Sequence, residues 1–431
     1  MKSDDESGML DPAPGVDEKP GLRRELGLLD AVGVGFGAII GAGLFVVTGV
    51  AAGVAGPAFL IGLLIAAVAA TANALSSAEL AANFPQSGGT YEYGYRLLNP
   101  WAGFIAGWMF LASKISAAGT VALGLAGYLE MLVPGLPPRA VAVGSIVVFT
   151  AINYFGVRKT SRVNLAIVSV SLLSLLLFVI GGAQLIRLEN FQPLAPAGWR
   201  GTLEASAILF FAYTGYARIA TLGEEVRDPK SNIPKAIIIT LAASALLYFA
   251  VAGVAVGTVG ATQLAATSAP LGVASQSFTL PWIAIMIAVG GVTAMLGVIL
   301  SQLLGLSRMA FAMARRRDLP VFLAYVHPRY GVPGRAVLVI GVIAVIVTAT
   351  GTLRGVASAA AFTILIYYGI ANLAALRLPR AAKLYPYFIA VTGLAMCVLL
   401  ALSLSTGIIL TGCGVLLAGI VLRVLFHRGR E

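Results

Sequence analysis

The sequence predicts an all-α integral membrane protein with about twelve transmembrane helices, and three observations carry this prediction. Of the 431 residues, 59% are hydrophobic and 11% are charged, whereas a soluble domain is about 45–50% apolar and about 25% charged. Apolar runs long enough to cross about 30 Å of hydrocarbon follow one another with short polar breaks. The basic residues lie in those breaks, so the net charge of +11 does not indicate nucleic-acid binding.

The order of polar and apolar segments predicts the domain organisation. The first 29 residues hold four basic and seven acidic residues and no apolar segment, so we expect a cytoplasmic tail and not a cleavable signal peptide. The expected spans are 30–54, 57–83, 101–130, 139–155, 162–186, 203–223, 234–257, 281–312, 334–351, 355–377, 386–403 and 407–426. We group them as two five-helix repeats, 30–186 and 203–377, two additional helices within 386–426, and a cytoplasmic tail at 427–431.

The distribution of Lys and Arg predicts the orientation. With the N-terminus inside, 22 of the 29 basic residues fall in inner segments and four in outer ones. Because short cytoplasmic loops carry an excess of positive charge, both termini are expected in the cytoplasm and the chain in the plasma membrane. The basic run from Arg315 to Arg317 can also reach anionic membrane lipid.

Cysteine and histidine are too scarce for metal or disulfide chemistry. Cys397 and Cys413 both lie in apolar runs, and His327 and His427 lie in polar connections. We therefore expect no disulfide framework, no metal and no cofactor.

The first span contains an unusual density of glycine. Gly33, Gly37 and Gly41 recur every four residues, which ordinary helix packing would explain. Gly35 and Gly43 project elsewhere, and each glycine inside a helix costs about 1 kcal/mol relative to alanine. The pattern predicts that this helix unwinds around Gly41 and Gly43.

The sixth span is interrupted at its middle, where Thr214 and Gly215 stand between aromatic residues, although an aromatic core stripe is an alternative interpretation. Interrupted helices at matching positions of two halves indicate an inverted-repeat transporter with its site near the membrane midplane. Unwound backbone there needs hydrogen-bond partners. A zwitterion supplies both kinds, because free N–H groups can hold its carboxylate and free carbonyls its ammonium group.

Five blocks of the sequence, in order, resemble the amino acid-polyamine-organocation (APC) superfamily. They are the glycine-rich first span, 78–91, 215–229 with 232–234, 307–315 with Leu319 and Pro320, and 326–333. The resemblance implies the leucine-transporter-like fold, a 5+5 inverted repeat with broken first and sixth helices plus two C-terminal helices. It also implies a secondary permease that moves amino acids or related amines by alternating access.

The resemblance also implies a substrate site. By motif position, the substrate carboxylate would meet the backbone of Gly41, Ala42 and Gly43. Its amino group would meet carbonyls near Ile39, Ile40, Phe211 and Thr214, and Phe211 would stand where members place a gating aromatic. The pocket between these glycines and the stretch from Phe211 through Tyr213 to Gly215 offers no carboxylate, so we expect neutral amino acids to be preferred over arginine or polyamines.

Departures from the family's pattern bear on ion coupling. Proton-coupled branches carry a lysine in the fifth helix, but Ser171 stands at the aligned position. Lys114 lies midway along the third span, where a charged side chain is costly. Thr293 in the eighth span lacks the adjacent second hydroxyl that is typical of sodium-dependent members. We expect proton coupling through Lys114 and no sodium dependence, with a structural cation satisfied by carbonyls or water as the alternative role of Lys114.

Several alternatives remain at this stage. Arg218 either touches the substrate or pairs with Glu224 or Glu225, and Glu79 either anchors the loop that follows it or acts in gating. An exchanger without ion coupling, a passive channel or a substrate sensor would share the same fold. An enzyme is not expected, because the acidic residues fall almost wholly in tails and loops.

Overall fold

A computed structural model describes residues 26–40, 43–84, 88–156, 161–220 and 226–428. The regular secondary structure in these ranges is helical, and the sole β pairing described is an isolated parallel bridge between Leu26 and Val226. Two residues of the expected site, Gly41 and Ala42, and most of the tail at 1–29 lie outside the described residues. The all-α fold class is confirmed.

Sixteen α-helices are present in the described ranges. They are α1 (Leu28–Ile39), α2 (Thr48–Ala55), α3 (Phe59–Asn83), α4 (Thr90–Tyr93), α5 (Pro100–Leu132), α6 (Pro138–Tyr154), α7 (Ser161–Gly182), α8 (Gly198–Tyr213), α9 (Ala217–Ala220), α10 (Pro229–Ala265), α11 (Pro270–Ser275), α12 (Trp282–Arg315), α13 (Gly334–Thr350), α14 (Leu353–Leu376), α15 (Tyr387–Ser403) and α16 (Thr406–Arg428). Short π-helical turns occur at Gly43–Val47 and Gly94–Leu98, and a 3₁₀ turn at Thr214–Tyr216.

The helices have the length and surface of membrane spans. Seven helical stretches are long and apolar enough to cross a bilayer, and three shorter apolar helices, α6, α13 and α15, accompany them in the described ranges. Large apolar side chains face outward on α7, α15 and α16, where Leu173, Leu402 and Leu417 are 57–67% exposed. Such a surface suits hydrocarbon, because water would penalise it. The twelve spans and the 5+5 arrangement stay a prediction.

The helix that contains the seventh predicted span extends beyond it at both ends. The seventh span, predicted at 234–257, lies within α10, which runs from Pro229 to Ala265. Hydropathy marks the apolar part of a helix, whereas the helix itself begins at Pro229, a residue well suited to the first helical position. Gly260 interrupts α10 with a positive φ of 77°. The centre of the molecule is formed by α5 against α12 and α14, and by α3 against α8.

A buried carboxylate at Asp318 joins three separate segments. It accepts hydrogen bonds from the hydroxyls of Tyr91 (2.6 Å) and Tyr95 (2.6–2.7 Å) and lies 3.5 Å from the guanidinium of Arg423 on α16. Asp318 and Arg423 are 2% and 5% exposed. Burial and the bonds to Asp318 raise the pKa of Tyr91 and of Tyr95 above the usual range. Both phenols therefore remain donors to the carboxylate.

Glu79, near the end of α3, is bound to the connection between α14 and α15. Its carboxylate accepts the backbone N–H groups of Leu384 (2.6 Å) and Tyr385 (3.0 Å), and the ammonium group of Lys383 lies 3.5 Å away. Glu79 is 2% exposed. These contacts anchor the connection between α14 and α15, and not the loop that follows α3, which is the loop that the sequence suggested.

Candidate functional site

The first helix is interrupted after Ile39. The N–H of Ile40 still donates to the carbonyl of Phe36 (2.8 Å), but Ile40 itself is extended, with φ −74° and ψ 93°. The chain is helical again from Gly43, where a π-helical turn leads into α2. A helix that ends in this way leaves its last carbonyls without partners inside the helix.

A second interruption follows α8. The chain tightens into the 3₁₀ turn at Thr214–Tyr216 before α9 begins. The carbonyl of Phe211 accepts hydrogen bonds from both the N–H and the hydroxyl of Thr214, the latter at 2.9 Å. That carbonyl is therefore occupied within its own segment.

The two interruptions lie in direct backbone contact, and a glycine makes each side of the contact. A Cβ atom on Gly43 would lie 2.8 Å from the Cα of Ala212. A Cβ atom on Gly215 would lie 2.6 Å from the backbone nitrogen of Ile39 and still closer to the carbonyl of Ala38. Only glycine allows this approach at either position. The structure thus brings together the two segments that the sequence singled out.

Tyr248 on α10 spans both interruptions. Its hydroxyl lies 2.7 Å from the carbonyl oxygen of Ile39 and 3.3 Å from that of Ala212, and the residue is fully buried. The sequence analysis missed Tyr248. The available signal was a single phenol in an apolar helix, which needs a hydrogen-bond partner when buried.

The remaining predicted residues occupy distinct positions. Ile39, Ile40, Phe211 and Thr214 are all buried next to the interruptions. Tyr213 is also buried, but its hydroxyl reaches toward the carbonyl of Leu63 on α3, at 3.5 Å. Tyr213 therefore contributes its ring to this region and directs its polar end elsewhere.

Lys114 lies on α5, on the helix face that carries Tyr128. The hydroxyl of Tyr128 donates to the carbonyl of Phe45 in the π-helical turn after the first interruption, at 2.7 Å. The ammonium group of Lys114 lies 5.9 Å from the ring centroid of Phe110, and the described residues provide it with no hydrogen bond or ion pair. At Tyr128 this face of α5 meets the segment after the first interruption, whereas beside Lys114 the ring of Phe110 packs against Tyr367 on α14, at a centroid distance of 5.3 Å.

Two hydroxyl groups considered for ion coupling converge on one carbonyl. Ser171 on α7 and Thr293 on α12 lie 3.4 Å and 3.1 Å from the carbonyl oxygen of Gly290. Among the described residues no three His, Cys, Asp or Glu side chains gather to hold a metal. Arg218 is exposed on α9, and its expected partners Glu224 and Glu225 lie outside the described residues.

Apolar helices with two interruptions in contact are features of membrane transporters. Residues 30–422 match the family model for amino acid permeases. The chain belongs to the amino acid permease family of the APC superfamily and is a membrane transporter, not an enzyme.

Individual relatives extend the comparison. The chain is 42% identical over 435 residues to an uncharacterized transporter of Mycobacterium tuberculosis, covering 98% of this chain and 96% of the relative. It is 32% identical over 436 residues to a branched-chain amino acid permease of Bacillus subtilis, covering 94% of each. It is 34% identical over 346 residues to cationic amino acid transporter 4 of Mus musculus, covering 75% of this chain and 54% of the relative.

Proposed function

We propose that the chain is a secondary active permease of neutral amino acids in the plasma membrane, coupled to protons and independent of sodium. It works by alternating access in a 5+5 inverted repeat with two additional helices, and both termini face the cytoplasm. The unequal distribution of Lys and Arg supports this orientation. The membership of the amino acid permease family supports the substrate class.

The observation that carries the proposal is the backbone contact between the two interruptions, at Gly43 with Ala212 and at Gly215 with Ala38. Helix ends beside an interruption present free carbonyls on one side and free N–H groups on the other. An amino acid matches both, because its ammonium group donates and its carboxylate accepts. The positive end of the half-helix that follows the first interruption adds attraction for the carboxylate.

The side chains around the interruptions favour a neutral substrate. The described residues Ile39, Ile40 and Phe211 are apolar, and none of those flanking the interruptions carries a carboxylate. A cationic side chain would lose its hydration without gaining a counter-ion. The relative named as a branched-chain amino acid permease supports a preference for neutral substrates. Another relative is named as a cationic amino acid transporter, so arginine must be tested beside the neutral amino acids.

Lys114 is proposed as the coupling group. Its ammonium group has no anionic partner among the described residues, and a dry site disfavours its charged form. A lysine in this position can be protonated in one conformation and neutral in another. When charged it can take the place of a coupling cation and hold neighbouring helix ends together, and loss of the proton would loosen them.

Counterflow in proteoliposomes tests the function. Vesicles loaded with unlabelled leucine, alanine, serine or arginine are diluted into labelled amino acid, and the matched control is the Gly43→Val variant. A carrier gives a transient accumulation of label, whereas a channel gives none. Empty vesicles with an imposed inward proton gradient then separate a proton symporter, which concentrates substrate, from an exchanger, which does not.

Replacing external sodium by choline should leave uptake unchanged. A requirement for sodium, or the absence of counterflow with every amino acid of the panel, would contradict the proposal.

A further inference from the structure

The hydroxyl of Tyr248 is placed where a substrate ammonium group would also bind. It reaches the carbonyl oxygens of Ile39, at the end of α1, and of Ala212, near the end of α8. Both residues lie just before an interruption. The ring of Tyr213 packs against that of Tyr248 with a centroid separation of 5.2 Å. Because Tyr248 is fully buried, bulk water does not replace these hydrogen bonds.

The number of protons limits what this hydroxyl can do. A phenol donates one hydrogen, while Ile39 and Ala212 present two acceptors. The distance of 2.7 Å to Ile39 is that of a full hydrogen bond, and the 3.3 Å to Ala212 is that of a weak one. The neighbouring carbonyl of Phe211 already accepts from Thr214. Ala212 is therefore the carbonyl of this pair to which the phenol bonds more weakly.

We infer that Tyr248 is a positioning and specificity-determining residue for the amine of the substrate. Its hydroxyl serves the carbonyl of Ile39 and leaves that of Ala212 to one N–H of the substrate. The site thereby requires one N–H donor from the substrate for its two carbonyls, so it accepts secondary and tertiary ammonium groups, such as those of N-methyl and N,N-dimethyl amino acids. This inference rests on the proposed function.

Removal of the hydroxyl changes that requirement. In Tyr248→Phe, both carbonyls depend on the substrate for their donors, so each N–H of the substrate becomes more valuable. N,N-Dimethylation removes two of the three N–H donors of an ammonium group, and the one that is left can serve the carbonyl of Ala212 alone but not both carbonyls. It should therefore weaken binding more in the variant than in the wild type.

The experiment measures inhibition constants for leucine and N,N-dimethylleucine, and for alanine and N,N-dimethylalanine, in proteoliposome uptake. In the wild type the N,N-dimethyl compound should bind within about threefold of its parent. In Tyr248→Phe the ratio should rise by about tenfold, the effect of one hydrogen bond to a charged group. Comparing ratios cancels the steric effect of the methyl groups and any general loss of activity.

Tyr128→Phe is the matched control, because it also removes one buried hydroxyl that donates to a carbonyl, that of Phe45. Its ratio should equal that of the wild type. An unchanged ratio in Tyr248→Phe, or an equal rise in both variants, would overturn the inference.

A series on the wild type provides a second measurement, in case Tyr248→Phe does not fold. Leucine, N-methylleucine and N,N-dimethylleucine offer three, two and one N–H donors. Because the wild type needs only one, we expect a small loss at each methyl group, and a loss of about tenfold or more at the second overturns the inference. Wild-type protein that transports neither leucine nor alanine contradicts the proposed function itself, which is a separate outcome.

Discussion

Gly43 and Ala212 approach each other so closely that a methyl group on the glycine would lie 2.8 Å from both the Cα and the Cβ of the alanine. The contact joins the segment after the first interruption to the end of α8. Gly215 makes the reciprocal contact with α1. Each interruption therefore fixes the position of the other. A substitution at either glycine should disturb the backbone at both interruptions.

Replacing Gly43 by valine should abolish substrate binding and leave membrane insertion intact. The added side chain would meet the backbone of Ala212, and overpacking of this kind typically costs about 1–3 kcal/mol. Binding is measured by scintillation proximity or by thermal shift with added leucine. The control is Gly33→Val, because a Cβ atom on Gly33 meets no atom within 4 Å. Wild-type affinity in Gly43→Val would remove the basis for the site.

Neutral amino acids should compete better than arginine for the uptake of labelled alanine. The reason is the absence of a carboxylate among the described residues that flank the interruptions. Inhibition by leucine, serine, arginine and a polyamine at equal concentration measures the preference. Stronger inhibition by arginine than by leucine or serine would refute it.

Lys114→Arg should block turnover, and Lys114→Ala should retain exchange but lose its dependence on pH. Arginine stays charged at any physiological pH, whereas alanine removes the titrating group. In the wild type, external acid should increase uptake, because protonation outside and deprotonation inside drive the cycle forward. The measurement is uptake into vesicles under an imposed pH gradient.

Arg308→Ala is the control for Lys114, since Arg308 lies on α12 but is exposed. It should keep the pH dependence. Concentrative uptake by Lys114→Ala at the wild-type level, driven by the same gradient, would show that coupling does not pass through this residue.

Asp318→Asn should lower the stability of the folded protein by about 3 kcal/mol, the lower end of the cost of leaving one member of a buried ion pair unpaired. Arg423 would lose its anion, and Tyr91 and Tyr95 would lose a charged acceptor. Thermal unfolding in detergent measures the change as a lower Tm.

Glu92→Gln serves as the comparison for Asp318. It removes ion pairs with Arg96 and Arg316, whose side chains are 38% and 39% exposed, so we expect a loss below about 1 kcal/mol. Burial alone would raise the pKa of Glu92, but hydrogen bonds from Arg96 and Arg316 outweigh it and lower that pKa. Its small contribution is therefore present at neutral pH. Equal losses in the two variants would contradict the importance of burial.

The sequence predicts those features of the fold that depend on a single segment of the chain. Apolar composition predicts a membrane protein, because long apolar segments are stable in the hydrocarbon of a bilayer. Glycine density identified the break before Gly43, since glycine disfavours a continuous helix. The contact partners could not be found in this way. Ala212 is an ordinary alanine in the sequence, and only the packing of α8 against the first helix gives it a role.

Long-range partners of polar side chains were likewise beyond the sequence. The sequence allows Glu79 to anchor a loop. Its partners, however, are the backbone N–H groups of Leu384 and Tyr385, about 300 residues away. Backbone donors carry no sequence signal. Tyr248 could not be identified for the same reason. Its partners are the backbone carbonyls of Ile39 and Ala212, and every residue has a backbone carbonyl.

The anchor at Glu79 has a mechanical consequence. Drawing the connection at Leu384 and Tyr385 away from α3 would strip two N–H donors from a carboxylate that water does not reach. The neighbouring side chain of Asn83 adds a further tie, to the carbonyl of Ala382, at 2.9 Å. The end of α3 and the start of α15 must therefore travel as one rigid body, and any rocking motion has to hinge elsewhere.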